Sequence, residues 1–393
     1  MSCLHGSPKI KCTLNKEKIL VFIDWYLPGY KAGGPIQSCA NIIDHLSDHY
    51  EFSVVTSDTD YTNSEPYPKV QSNSWTRHGD TRVFYFSKYY LKWQNMLSIL
   101  KTEQYDIVYF NSLFSFRFTL IPLLLLYLLR NNKKIILAPR GMFGAGALSV
   151  KARKKKIFIK VLRLSGMVKN IIFHASSDAE ASDVYKNLGE EVNVKIAQNL
   201  LSKIPGETFP KRLKEKGMLR IVFVARIAPE KNLHYMLTLL QKINCKVIFD
   251  IYGPIYNEKY WNQCLELIRL LPKNIVVSYN SAIEKKLVNN LLTKYHLLVH
   301  PTLGENFGHI ILESLSAGCP VLISDRTPWH DLELKLIGAD IPLSDTGRYV
   351  NFLGRFCELS QEEFDLFSKN AFQFASLYRN DPSILQQNIA LFK

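Results

Sequence analysis

The chain has 393 residues, 47% apolar and 21% charged, enough for two or three domains with their own cores and outside the range of disordered chains. Lys and Arg outnumber Asp and Glu by 49 to 35, a net charge of +14, which points to anionic partners such as nucleotides, nucleic acid or an acidic membrane face. The seven cysteines are scattered and never in CxxC spacing, so neither a zinc ribbon nor a disulfide framework is expected and a reducing compartment fits.

Residues 1–18 are polar and basic without an apolar signal core. The longest apolar run, residues 119–129 (TLIPLLLLYLL), is too short to span a bilayer, which takes about 20 residues; Pro122 and the following Arg130 favour a buried core helix. The chain therefore reads as cytoplasmic, with room for a peripheral membrane contact. From residue 19, short apolar runs alternate with helical stretches. Strands are expected at 19–24 (ILVFID), 52–56, 83–86, 107–110, 135–138, 171–173 and 192–196, with helices such as 35–46 and 116–129 between them. This alternation predicts an α/β parallel sheet covered by helices. It lapses over 199–217, where Pro205, Gly206, Pro210 and Gly217 suggest a linker. It resumes at 219–224, 247–252, 275–278, 297–300 and 320–323. Two parallel-sheet domains follow, 1–200 and 218–393, the second ending in helices over 362–393. Open sheets bind ligands at the carboxyl ends of their strands, so the cleft between the domains is the expected site.

The densest pattern is residues 301–321, PTLGENFGHIILESLSAGCPV. A strand runs into a loop with Gly304 and Gly308, and a helix starts near 307–309. Unpaired amides and the positive dipole end at such a start suit a phosphate. Glu305 and Glu313 lie eight apart and can face one cleft, one gripping sugar hydroxyls and the other a ribose. The second pattern is Arg226-Ile-Ala-Pro-Glu-Lys231-Asn232. A lysine in a first helical turn opposes the helix dipole unless an anion shares the place, so Arg226 and Lys231 can clamp a diphosphate; an ordinary surface pair is the plain alternative. The third is Gly33-Gly34-Pro35 between the first strand and helix, where backbone can approach a ligand, with a plain strand–helix turn as the equal alternative. It is not GxGxxG, so a dinucleotide is not indicated.

These pieces, in this order, resemble the family-4 retaining glycosyltransferases of the GT-B fold, most specifically over 220–331. The resemblance implies two facing Rossmann-like domains, a UDP- or GDP-linked sugar as co-substrate, no further cofactor, no metal, and transfer with retained configuration. It implies that Glu305 and the amides of Asn306, Phe307 and Gly308 hold the donor sugar. Glu313 would hold the ribose, Arg226 and Lys231 the diphosphate, and Gly34 would approach it from the first domain. The base-binding stretch resembles 279–283 (YNSAI), with Ser281 where glycine is usual. Asn111 (VYFNSLF) stands where many members carry an active-site histidine; asparagine cannot transfer protons but can bind a sugar hydroxyl. APRGMF at 138–143 and SDRTPWHDLE at 324–333 are similar to a subset building bacterial surface polysaccharides, lipopolysaccharide or exopolysaccharide. In that subset Arg140 would meet an acceptor phosphate, unless it serves a structural ion pair.

Other features are weaker. Residues 151–163 (KARKKKIFIKVLR), from Lys151, form a basic amphipathic helix suited to anionic lipid or simply to solvent; no nucleic-acid motif supports that third partner. Asp58-Thr-Asp60 is a DxD expected in a turn, and His45 and His49 are expected at the surface. His174 is expected as a cap or core residue with cleft contact as the lesser alternative, and His309 beside the phosphate loop. The expected activity is transfer of a sugar, hexosyltransferase-type, to a growing, lipid-linked glycan. The rivals are a sugar-nucleotide epimerase on the same scaffold and a non-catalytic nucleotide- or polyanion-binding protein.

Overall fold

The computed structural model describes residues 16–144, 148, 152–203 and 209–393. Its first sheet is built from β1 (Glu17–Phe22), β2 (Tyr50–Ser57), β3 (Trp75–His78), β4 (Thr81–Phe86), β5 (Ile107–Phe110), β6 (Lys134–Leu137), β7 (Ile171–Ala175) and β8 (Asn193–Ile196). Their spatial order is β3-β4-β2-β1-β5-β6-β7-β8. All neighbours are parallel except β3 and β4, an antiparallel edge hairpin turning at Gly79-Asp80. The second sheet orders β11 (Ile275–Tyr279), β10 (Lys246–Tyr252), β9 (Met218–Val224), β12 (Leu297–His300), β13 (Val321–Ser324) and β14 (Gly338–Ile341), all parallel. Central strands such as β5 and β12 are buried along their whole length, which is why they read as unbroken apolar runs.

The helices of the first half are α1 (Gly34–Leu46), α2 (Trp93–Thr102), α3 (Ile121–Leu128), α4 (Ala152–Leu164) and α5 (Asp178–Leu188). Those of the second are α6 (Leu233–Leu240), α7 (Glu258–Arg269), α8 (Lys285–Leu292), α9 (His309–Ser316), α10 (Thr346–Glu358), α11 (Gln361–Arg379) and α12 (Pro382–Phe392). The two sheets have separate cores. Leu20, Phe22, Val55 and Phe110 belong to one, and Ile221, Phe223, Phe249 and Val299 to the other. α12 does not stay with the second sheet, as the linear division at 218 implied. Its Ile384, Ile389, Leu391 and Phe392 pack with Ile19, Tyr50 and Phe52 in the core of the first. Lys134 Nζ donates to the Phe392 carbonyl at 2.9 Å and Lys195 Nζ to that of Ala390 at 2.9 Å.

Several details depart from the sequence expectation. The apolar run at 116–129 is a π-turn (Phe116–Leu120) followed by α3, and it is only half buried: Pro122, Leu123 and Leu126 face inward, while Phe116, Leu124, Tyr127 and Leu128 are exposed. Cys245 and Cys357, 112 residues apart, form a disulfide within the second domain; spacing along the chain gave no hint of it. The expected linker residues Pro205 and Gly206, like Lys151 of the basic stretch, lie outside the described residues. The described residues that follow β8 lie along α1. There Asn41 Nδ2 donates to the Leu200 carbonyl at 2.7 Å and His45 Nε2 to that of Leu201 at 2.8 Å. His45 is therefore a contact between segments rather than a surface residue, whereas His49 is exposed beyond the last turn of α1.

Candidate functional site

Strand order reverses direction beside β1 and β5 in the first sheet and beside β9 and β12 in the second. Such switch points open a crevice at the carboxyl ends of the strands. The loops leaving these four strands carry Gly34, Asn111, Arg226, Lys231 and Glu305, so topology explains why residues far apart in sequence meet here.

The loop from β12 to α9 is the centre. Glu305 is half-buried, its side chain 15% exposed, and its Oε1 accepts from His300 Nε2 at 2.7 Å and pairs with Lys231 Nζ. Burial alone would raise the carboxyl pKa; the Lys231 charge and the His300 hydrogen bond override it and hold the group well below the usual carboxylate range. The loop is braced from behind, since Glu305 N donates to the Arg326 carbonyl at 2.9 Å and Trp329 Nε1 to that of Phe307. The 324–333 string therefore shapes this loop. Among the described residues no protein acceptor meets the main-chain N–H of Asn306, Phe307 or Gly308. Three free donors thus stand at the positive end of α9.

Asn306 reaches across to the first domain. Its Nδ2 donates to Ser176 Oγ at 2.9 Å and to Glu180 Oε2 at 3.1 Å. Glu180, 3% exposed, also accepts from Gly141 N at 2.6 Å and from Ser176 N and Oγ at 2.8 Å. The approach is so close that a Cβ at Gly141 would stand 2.7 Å from that of Asn306. His309, the first residue of α9, makes the second crossing: its Nε2 lies 2.7 Å from Ser38 Oγ on α1, and its ring packs against Gly34 and Phe307. Burial, then the nearby Lys285 and Arg140 charges, push its pKa down to about 3, so the ring is neutral. Its Nδ1 is buried, without a hydrogen-bond partner among the described residues. A third crossing stacks Tyr61 on Tyr256, with ring centroids 5.4 Å apart.

The expected diphosphate clamp is not assembled in this structure. Lys231 is committed to Glu305, while Arg226 lies 3.6 Å from Glu230 and 5.2 Å from the centroid of the Tyr256 ring. Glu313, 8% exposed, is paired with Lys285, the first residue of α8. Ser281 takes φ 58°, the left-handed conformation glycine favours, and its carbonyl accepts from Gly253 N at 2.8 Å. Gly253 is itself required, because a Cβ there would fall 1.8 Å from the Ala225 carbonyl oxygen.

Asn111 does not offer its amide to a ligand: it is 1% exposed, its Nδ2 donates to the Pro35 carbonyl at 2.9 Å, and its Oδ1 accepts from Arg140 Nε at 2.8 Å. Arg140 is not in an ion pair. Its other donors go to Asn199 Oδ1 at 2.9 Å and the Tyr109 hydroxyl at 2.7 Å, and among the described residues no carboxylate lies within 4 Å. It is a cation held entirely by neutral oxygens. His174 is a core residue: the Tyr109 hydroxyl, taken up by Arg140, donates to its Nδ1 at 2.9 Å, and its Nε2 donates to the Ala197 carbonyl at 2.9 Å. Burial, reinforced by Arg140, lowers its pKa to about 3. The Asp58–Asp60 pair is a structural turn in which Asp60 accepts from Tyr30 N at 3.0 Å and Lys31 N at 3.3 Å, fixing the chain just before Gly33-Gly34. Among the described residues no group of three or more His, Cys, Asp or Glu side chains gathers to hold a metal ion.

Residues 206–332 match the family described as Glycosyl transferases group 1. That span contains the whole of the Arg226, Lys231, Lys285, His300, Glu305 and Glu313 constellation. No curated protein matches the chain. Similar solved structures include sucrose-phosphate synthase from Thermosynechococcus elongatus, 13% identical with a TM-score of 0.69, covering 96% of this chain and 98% of that one. HepE of Anabaena, in complex with UDP and glucose, is 16% identical with a TM-score of 0.69, covering 95% and 98%. WaaG, described as a glycosyltransferase involved in lipopolysaccharide biosynthesis, is 15% identical with a TM-score of 0.64, covering 95% and 99%. The chain thus has the GT-B fold, with a glycosyl transferases group 1 match in its second half. His300, Lys285, Ser38, Ser176 and Glu180 belong to the site but not to the sequence expectation, since none lies in a spacing that advertises its partner; Trp329 lies in the 324–333 string, whose contact with the Glu305 loop the sequence did not announce.

Proposed function

We propose that this protein is a retaining glycosyltransferase moving a sugar from a nucleoside diphosphate to a hydroxyl of a glycan. The observation that carries the reading is the head of α9: three acceptor-free N–H groups beside Glu305, whose carboxyl Lys231 and His300 hold well below the usual carboxylate range, facing Gly34 and Ser38 across the cleft. Cleaving the anomeric carbon–oxygen bond builds negative charge on the diphosphate. Main-chain donors fixed in advance stabilise that charge without reorganising. Glu305 accepts from sugar hydroxyls, and Lys231 and His300 keep it anionic. The HepE structure binds UDP and glucose, which supports a UDP-linked donor; GDP is the other candidate. No catalytic metal enters this reading. On the retaining route the acceptor oxygen bonds the anomeric carbon on the face the phosphate leaves, and the departing phosphate oxygen takes the acceptor proton.

Arg140, with its charge unspent, is placed to meet an anionic acceptor such as a phosphate-linked glycan. A lipid-linked acceptor agrees with α4, which buries Ile159 and Leu162 yet exposes Ile157, Val161 and Leu164 among Lys154, Lys156, Lys160 and Arg163. A second apolar stripe bordered by lysines fits an anionic membrane surface at the cytoplasmic face. Among the described residues no helix is long and apolar enough to cross a membrane. Surface-polysaccharide assembly is the role these features suit best.

The test is turnover of UDP- and GDP-sugars with and without a lipid-linked glycan acceptor. Sugar appearing on the acceptor with unchanged anomeric configuration supports the reading. An isomerised sugar nucleotide formed without acceptor would make the protein an epimerase, and binding without turnover would make it a non-catalytic binder.

A further inference from the structure

Glu313 is not free to meet a ribose in this structure, because the Lys285 ammonium occupies its carboxylate. Lys285 follows the 279–283 stretch after Glu284 and reaches from the start of α8 across to α9. Its charge also bears on His309 at the head of α9, beside the N–H groups of Asn306, Phe307 and Gly308. It therefore lies between the place expected for a ribose and the place expected for a diphosphate.

The cations of the cleft differ in how firmly they are held. Lys231 is bound to a carboxylate that His300 grips as well. Among the described residues Lys285 has Glu313 alone. Hydroxyls of a ribose can donate to the Glu313 carboxylate and displace the ammonium. A half-buried ammonium left without an anion is costly, and desolvation already lowers the Lys285 pKa to about 7. The same ligand that takes Glu313 also brings a phosphate within reach of the displaced group.

We propose that Lys285 is a donor-recognition residue that exchanges counter-ions, paired with Glu313 in the free protein and with a phosphate oxygen of the nucleotide once the ribose occupies Glu313. The proposal rests on the nucleotide-sugar reading of this site and adds to it a residue and an order of events. One consequence is selectivity: a nucleoside lacking phosphates must break the pair without replacing it, whereas a nucleoside diphosphate replaces it.

The experiment is calorimetric titration of UDP, GDP and their nucleosides into wild type and the variants Lys285→Met, Lys285→Arg, Glu313→Gln and Lys285→Met/Glu313→Gln. For whichever diphosphate the wild type binds, Lys285→Met is expected to lose about tenfold or more in affinity, with the nucleoside changed less than about twofold. Lys285→Arg, which keeps the charge, should stay within about threefold. Should Lys285→Met fail to fold, the double variant, compared with Glu313→Gln, gives the same diphosphate-to-nucleoside contrast without an unpaired carboxylate. Equal losses for diphosphate and nucleoside would reduce Lys285 to a support for Glu313 and overturn the proposal, as would wild-type affinity in Lys285→Met. If wild type binds neither diphosphate, the donor reading fails and this proposal with it.

Discussion

Replacing Glu305 by Gln keeps its shape and removes its charge. The side chains of Lys231 and Glu305 are only 14% and 15% exposed, so removing one partner strands the other in a poorly hydrated place. Losing one member of a buried pair costs about 3–5 kcal/mol, most of it the penalty of the orphaned charge. A Gln still accepts from His300 Nε2, so the lower figure applies, about 3 kcal/mol. At roughly 2–4 °C per kcal/mol for a domain of this size, the melting temperature should fall by about 6–12 °C. Lys231→Met should cost a similar amount, because Glu305 would keep only its His300 bond. The double variant Lys231→Met/Glu305→Gln removes both charges and should lose only about 1 kcal/mol, a coupling of several kcal/mol in the double-mutant cycle. Thermal unfolding followed by tryptophan fluorescence reads this directly, with Trp261 and Trp329 in the second domain as reporters. Single losses that simply add in the double variant, or a Glu305→Gln protein as stable as wild type, would refute the buried-pair argument. The cycle also bears on activity, because a single Glu305 variant confounds lost sugar contacts with lost stability and the double variant separates them.

Asn306→Asp should set a second carboxylate against Glu180, weaken the crossing between the domains and raise the donor KM more than it lowers kcat. Amide exchange around Ser176 and Glu180 should quicken, and unchanged protection there would count against the contact. His174, His309 and His296 are neutral in the folded protein, with pKa values pushed down to about 3, 3 and 4, chiefly by burial. Below the ordinary histidine value the unfolded chain takes up protons that the native one does not. Stability should therefore fall as pH drops from about 6 to 4, by up to roughly 1.4 kcal/mol per pH unit for each histidine. Glu305, whose pKa is depressed, adds stability above the ordinary carboxylate range that is lost only at lower pH. Denaturant titrations at pH 7.5, 6 and 5 that gave one midpoint would contradict this. The triple variant Ile157→Ser/Val161→Ser/Leu164→Ser should keep its melting temperature, since these side chains are 64%, 57% and 78% exposed, and should lose about tenfold or more in binding to anionic vesicles. Wild type binding neutral vesicles as well as anionic ones would remove the basic face from the explanation.

The parallel strands were legible because full burial on both faces demands continuous apolar runs, and residues 19–22, 107–110 and 297–300 supply them. β3 escaped because WTRH is a polar edge strand with one large apolar residue, and β14 because GADI interrupts its short apolar pattern with a glycine and an aspartate. Helical spacing in α12 announced a helix but not its destination, since apolar positions do not say which sheet they will cover. At the site the glycine loops and the 301–321 string were readable, because backbone geometry constrains them locally. Lys285 and Glu180 were not. Their partners lie 28 and 126 residues away, and only the docking of α8 on α9, or of one domain on the other, brings them together. Asn111 looked like a ligand group because its position was right. The structure gives both ends of its amide to protein neighbours, and Arg140 takes over the face turned to the cleft.

The Asn111 amide suits its place physically. A cationic side chain at the end of β5 would be repelled by the Arg140 guanidinium it touches. A neutral amide can instead accept from Arg140 Nε while its other end ties down the Pro35 carbonyl beside Gly34. Tyr109 and Asn199 extend the same solution, giving the guanidinium hydrogen bonds without neutralising it. Asn199 also takes the Tyr378 hydroxyl on its carbonyl at 2.9 Å, and Tyr378 packs on Phe307 and Trp329 behind the Glu305 loop. The un-neutralised cation of the first domain and the Glu305 loop of the second are thus joined through one residue of the inter-domain segment. A rigid shift of either domain must move Arg140 and the head of α9 relative to each other through Asn199.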